Sequence, residues 1–160
     1  MGVHISLKTQ NRYNVLMKTA HQKGNTYILN AARGEEVVAA LKNVLREKNI
    51  RAAHFTGLGA ADFCDVAYYN LRDKKFEQHE MAEETEILSL VGNVGMLGDE
   101  TIIHAHGVFG RRDLSTFGGH IFAMRVSGAC EIHLTVLDGE MTRAHDDETG
   151  LNLLCGASAR

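Results

Sequence analysis

The sequence predicts an α+β domain: a curled antiparallel β-sheet of seven or eight strands covered by one main helix, about residues 35–48. Two observations carry this. Only one stretch keeps a helical period for more than two turns, and nearly everything after residue 50 alternates or runs apolar in short segments broken by Gly and charge clusters. A sheet of that kind curls, and a single helix suffices to cover its open end. The 160 residues fit one domain at roughly 100 to 200 residues per domain. No stretch approaches the roughly 18 consecutive apolar residues of a membrane span, so no membrane partner is expected.

The first 24 residues are polar and read as irregular. Residues 26–31 (TYILNA) favour a strand and lead into the helix. There Val37, Val38, Leu41, Val44 and Leu45 share one face, Glu35 and Glu36 fall in the first turn and Arg46 and Lys48 in the last, as the helix dipole favours, with Asn49 as the stop. Residues 51–57 form the next strand, ending at Gly57-Leu58-Gly59-Ala60. A dinucleotide-binding turn would need a helix to open there, and none does, so these glycines read as a bend or bulge. Residues 62–71 alternate, with Phe63, Asp65, Ala67 and Tyr69 on one face and Cys64, Val66 and Tyr68 on the other. A turn at Asp73-Lys74-Lys75 returns the chain through 76–81. Strands at 86–94, 101–109 and 119–126 follow, and 131–137 closes the run by alternating Ile132, Leu134 and Val136 against Glu131, His133 and Thr135. A single domain over 25–140 is thus expected, with an acidic and polar tail over 141–160.

The net charge of −3 hides an asymmetry. Residues 1–51 carry nine Lys and Arg against three Glu, while residues 52–160 carry eight against seventeen acids. Contact with a polyanion such as DNA therefore falls to the N-terminal third, with Lys8, Arg12, Lys18 and Lys23 as its candidates. There is no proline, which excludes Pro-rich linkers and Pro-containing minor-groove hooks. Three cysteines (Cys64, Cys130, Cys155) without CxxC spacing, after an N-terminus lacking a secretory apolar core, read as free thiols in a reducing, cytoplasmic setting.

The chemistry-bearing pattern is His104-Ala105-His106 with Gly118-Gly119-His120. Alternation places His104 and His106 on one face of a strand about 7 Å apart, and a neighbouring strand about 5 Å away brings His120 within reach. Three neutral imidazoles leave one position of a tetrahedral zinc site open for chemistry. The same spacing also suits a hydrogen-bonded histidine cluster, and sequence alone leaves both open. Arg111 and Arg112, in the loop between the two histidine strands, either close over an anion or are simply solvated. Glu131 is a candidate general acid or base if it faces the histidines. No GxSxG motif occurs, and no cysteine has a histidine beside it in sequence.

The run Glu86-Ile87-Leu88-Ser89-Leu90-Val91-Gly92-Asn93, followed by the two histidine motifs, resembles the PPC (plants and prokaryotes conserved) domain over about residues 24–138. The helix position, the Gly57 to Ala60 bend and Glu131-Ile132 also fit. The resemblance implies a homotrimer with the three histidines near subunit interfaces and able to hold a metal, zinc being the first choice. In plants the domain is joined to AT-hook DNA-binding motifs; this chain has no Arg-Gly-Arg-Pro hook. Its fold is also distantly similar to acetolactate decarboxylase, whose zinc is held by three histidines. Two functions follow: a homotrimeric binding module with a regulatory, DNA-associated role and a metal at His104, His106 and His120; or, as the alternative, a zinc-dependent lyase or hydrolase acting on a small anionic, keto acid-like substrate clamped by Arg111 or Arg112.

Overall fold

The computed structural model describes residues 17–155. Nine strands and one helix run in the order β1 (Lys18–Lys23), β2 (Thr26–Ala32), α1 (Val37–Glu47), β3 (Ala53–Asn70), β4 (Lys75–Met81), β5 (Thr85–Leu97), β6 (Glu100–Gly110), β7 (Thr116–Val136), β8 (Arg143–Asp146) and β9 (Leu151–Leu154). The first seven strands form one antiparallel sheet ordered β1-β2-β7-β6-β5-β3-β4, and β8 and β9 form a separate hairpin. A further pairing of β7 with β3 closes β3, β5, β6 and β7 into a ring. The expected curled sheet with one helix is therefore what the chain forms.

Alternation along the ring strands decides what lies inside. Phe55, Leu90, Val94, Phe109, Met124 and Ile132 are buried in one core, and the residues between them face outward. The helix adds Val37, Leu41, Val44 and Leu45 to that core. At about 1.5–3 kcal/mol for each large aliphatic side chain removed from water, this cluster supplies the main driving force. Helix ends are fixed by sequence-local chemistry. Glu36 is the N-cap rather than a first-turn residue, its carboxylate accepting from Val38 N and Ala39 N and also from Met124 N of β7 at 3.0 Å. At the other end Asn49 takes φ 50°, and Asn49 N and Ile50 N donate to Arg46 O and Leu45 O, a Schellman closure.

Several expectations are corrected. Residues 18–23 pair with β2 although they lie in the stretch read as irregular. Every residue of this edge strand is exposed, so no periodicity marks it. The strands expected at 51–57 and 62–71 are one strand, and so are those at 119–126 and 131–137; bulges absorb the register shifts without breaking the ladder. Residues 143–154, expected to be an acidic, polar tail, form the β8–β9 hairpin. It is pinned by Met96 N to Met141 O (2.7 Å), by the Tyr69 hydroxyl donating to Thr149 O (2.6 Å) and by Lys74 Nζ donating to Asp147 O (2.6 Å).

Gly59 shows why the bend needs glycine. Its φ is 152°, and a Cβ there would lie 2.2 Å from Ala129 O on β7. Gly59→Ala is expected to lower stability to denaturant by about 2–3 kcal/mol, through strain and overpacking. Gly128→Ala, where the nearest atom to a new Cβ is 3.9 Å away, serves as the control and should stay within about 0.5 kcal/mol.

Candidate metal centre

The site arises from the pairing of β6 with β7. In that ladder His106 lies directly opposite His120, Gly107 opposite Gly119 and Val108 opposite Gly118. Ala105 and Gly107 face the core, so His104 and His106 project from the outer face on either side of Ala105. The two glycines before His120 let the strands approach: a Cβ on Gly118 would sit 2.3 Å from Gly107 O, and one on Gly119 2.6 Å from Ala67 O.

Three imidazoles converge there. His104, His106 and His120 offer ligand nitrogens that all lie within 4.8 Å of one another. The Nε2 atoms of His104 and His106 are 3.2 Å apart. Two zinc–nitrogen bonds of about 2.0–2.1 Å at a tetrahedral angle put their nitrogens about 3.3–3.4 Å apart. The first pair is already close to that separation, and a nitrogen of the third ring lies within 4.8 Å of both. Phe76 and Phe122 pack against the His120 ring at centroid distances of 4.8 and 4.9 Å and limit its freedom.

The electrostatics favour ligation. Burial, and then the neighbouring His104 and His106, pull His120 down to about 4. His104 is lowered by burial, by Arg143 and by His106. Both rings are therefore neutral at neutral pH, the form in which a nitrogen lone pair can bind a metal. By contrast the buried thiols of Cys64 and Cys130 are pushed up to about 12 by burial and stay protonated, so they do not compete as ligands.

The histidines line a cavity of about 620 Å³. Its walls include Tyr69 of β3, Phe76 of β4, Ile102 and Ile103 of β6, and Leu151 and Leu153 of β9. Arg143 of β8 completes it. This arginine is 8% exposed, and burial lowers its pKa. Its Nη1 donates to Asn152 O (2.9 Å) and its Nη2 to Asn93 Oδ1 (2.5 Å), and Asn93 lies directly opposite His104 across the β5–β6 ladder. Arg143 escaped sequence reasoning because it sits in the stretch taken for a tail. The signal available was a lone arginine amid acidic residues.

The other candidates lie elsewhere. Arg111 Nε donates to Glu83 (2.8 Å) and its guanidinium lies 4.4 Å from the Phe117 ring centroid. Arg112 is exposed, and neither arginine lines the cavity. Glu131 faces outward on the far part of β7, opposite Asn30 and Leu58, and does not line it either. Lys18 and Lys23 are exposed on β1, while Lys8 and Arg12 fall outside the described residues.

Residues 18–138 match the family model of the Plants and Prokaryotes Conserved (PCC) domain. Solved structures of the same fold include a metal-containing protein from Archaeoglobus fulgidus, 34% identical, with a TM-score of 0.78 over 88% of this chain and 99% of that one. A candidate DNA-binding protein from Bacteroides thetaiotaomicron is 26% identical, with a TM-score of 0.84 over 88% and 97%. A plant- and prokaryote-conserved (PPC) protein from Pyrococcus horikoshii is 25% identical, with a TM-score of 0.78 over 91% and 99%. No curated protein matches the chain. Among the described residues, no helix is long and apolar enough to cross a membrane.

Because the folded state holds His104 and His120 below the ordinary histidine value, an unfolded chain takes up protons first as pH falls. The metal-free protein should therefore keep this part of its stability above about pH 6.5 and lose it progressively toward pH 4. Denaturant unfolding in the presence of chelator at several pH values checks this, and His120→Gln should flatten the slope.

Proposed function

The chain belongs to the Plants and Prokaryotes Conserved domain family, and from that footing we propose that it is a homotrimeric, cytoplasmic module with a regulatory, DNA-associated role that holds zinc at His104, His106 and His120. The convergence of three imidazoles at the cavity is the observation that carries the metal assignment. The Archaeoglobus relative, described as metal-containing, agrees with it. The DNA-associated role rests on the Bacteroides relative's description together with the basic N-terminal third of this chain.

Self-association draws on the outer face. Val91 lies directly opposite His106, and Val108 is two residues beyond it, so both share the histidines' face; they are 47% and 44% exposed. Leu88 and Leu58 are each 55% exposed, although Ile87 and Leu90 of the same β5 segment are buried in the core. An apolar surface of this kind next to the metal residues suits contact between copies.

A second reading, favoured by the cavity beside the histidines and its buried arginine, is a zinc-dependent lyase or hydrolase acting on a small anionic, keto acid-like substrate. Zinc would supply Lewis-acid polarisation there. Arg143, not Arg111 or Arg112, is then the residue placed to hold the anion.

Elemental analysis of the untagged protein, with its mass in solution, tests the proposal. About one zinc per chain in an assembly of three 17.6 kDa chains is expected, with His104→Ala losing the metal while the fold persists. A metal-free monomer contradicts it. On the same preparation, DNA binding should weaken steeply with salt and fall when Lys8, Arg12, Lys18 and Lys23 are replaced; unchanged binding removes that region from the account.

A further inference from the structure

Charge accounting in the cavity points beyond the metal. None of the residues lining it is acidic, although it holds three histidines and Arg143. Arg143 is more than nine-tenths buried, and no carboxylate pairs with it among the described residues. A guanidinium has five N–H donors, and only two hydrogen bonds are made, through Nη1 and Nη2. Its Nε is buried without any partner. A buried, unpaired cation is costly, and leaving its donors unmet adds to that cost. A divalent metal on the neighbouring histidines would raise the local charge to about +3 with nothing in the lining to offset it. The remaining walls are aromatic and aliphatic, and the volume lies within the few hundred to about 1,000 Å³ usual for small-molecule sites.

We propose that Arg143 anchors the carboxylate of a small organic acid whose apolar body lies along Tyr69, Phe76, Ile102 and Leu151 toward the three histidines. The apolar walls select an organic acid over a bare inorganic anion, and the planar guanidinium suits a carboxylate. Asn93 and the Asn152 carbonyl hold the guanidinium in place, so the β8–β9 hairpin is part of the binding site and not an appendage. The inference rests on the metal reading for what the ligand's far end meets, and on Arg143 alone for its anchor.

The test is a ligand-observed NMR titration of the full chain, metal-free and zinc-loaded, with butyrate and with the uncharged butyramide. Butyrate should bind at least tenfold tighter than butyramide in both forms. Arg143→Gln should abolish that preference, and Arg143→Lys should keep part of it. Equal affinity for the two probes, or a preference that survives in Arg143→Gln, overturns the anchor. Should the variants fail to fold, the wild-type comparison in the metal-free form decides, since no metal can then supply the preference. Zinc uptake is measured on the same samples. Zinc bound without any preference overturns the carboxylate site alone, whereas a metal-free preference with no zinc uptake overturns the metal reading alone.

Discussion

The register between β6 and β7 is the constraint on which the site depends. Setting His106 opposite His120 fixes everything else about those strands, because a slip of one residue would turn the imidazoles into the core and Ala105, Gly107 and Ile121 out of it. The register is held from the inside by Phe109 and Ile121, which only fit the core in one phase, and from the backbone by Gly118, where a Cβ would meet Gly107 O of β6. Packing of the core and placement of the candidate ligands are therefore one event. The ring of β3, β5, β6 and β7 makes the phase cooperative, since each of these strands is paired on both sides.

Where the sequence was legible, local physics agreed with the global fold. The helix carried its own face and stop, and Glu131 to Val136 declared its inner residues by strict alternation. The histidine cluster was readable for the same reason, as two imidazoles at spacing two on one strand and a third beside a Gly-Gly approach. What could not be read was set by distant partners. β1 has no buried face, and so its polar sequence looks like a loop until β2 pairs with it. The bulges in β3 and β7 break alternation at points decided by the partner strand, which split each long strand in two. The β8–β9 hairpin is held by backbone acceptors such as Thr149 O and Met141 O, which every residue possesses and no sequence advertises.

That last element changes the character of the site. Without it the histidines would lie on an open, largely apolar sheet face. With it they form the floor of a walled cavity containing one buried cation. The cost of burying Arg143 without an acid is met only in part by Asn93 and the Asn152 carbonyl. Stability alone does not require such an arrangement, because an apolar residue of similar volume would serve the packing at lower electrostatic cost. The basic N-terminal third and the acidic remainder give the chain a second charge asymmetry, and the described basic residues of β1, Lys18 and Lys23, do not line the cavity.

The central claim is that three imidazoles from two adjacent strands hold one metal. X-ray absorption at the zinc edge, on protein loaded with one equivalent per chain, tests it most directly. The account predicts about three imidazole nitrogens at about 2.0–2.1 Å, with no sulfur scatterer. A sulfur shell at about 2.3 Å, or a spectrum without histidine scattering, would contradict it.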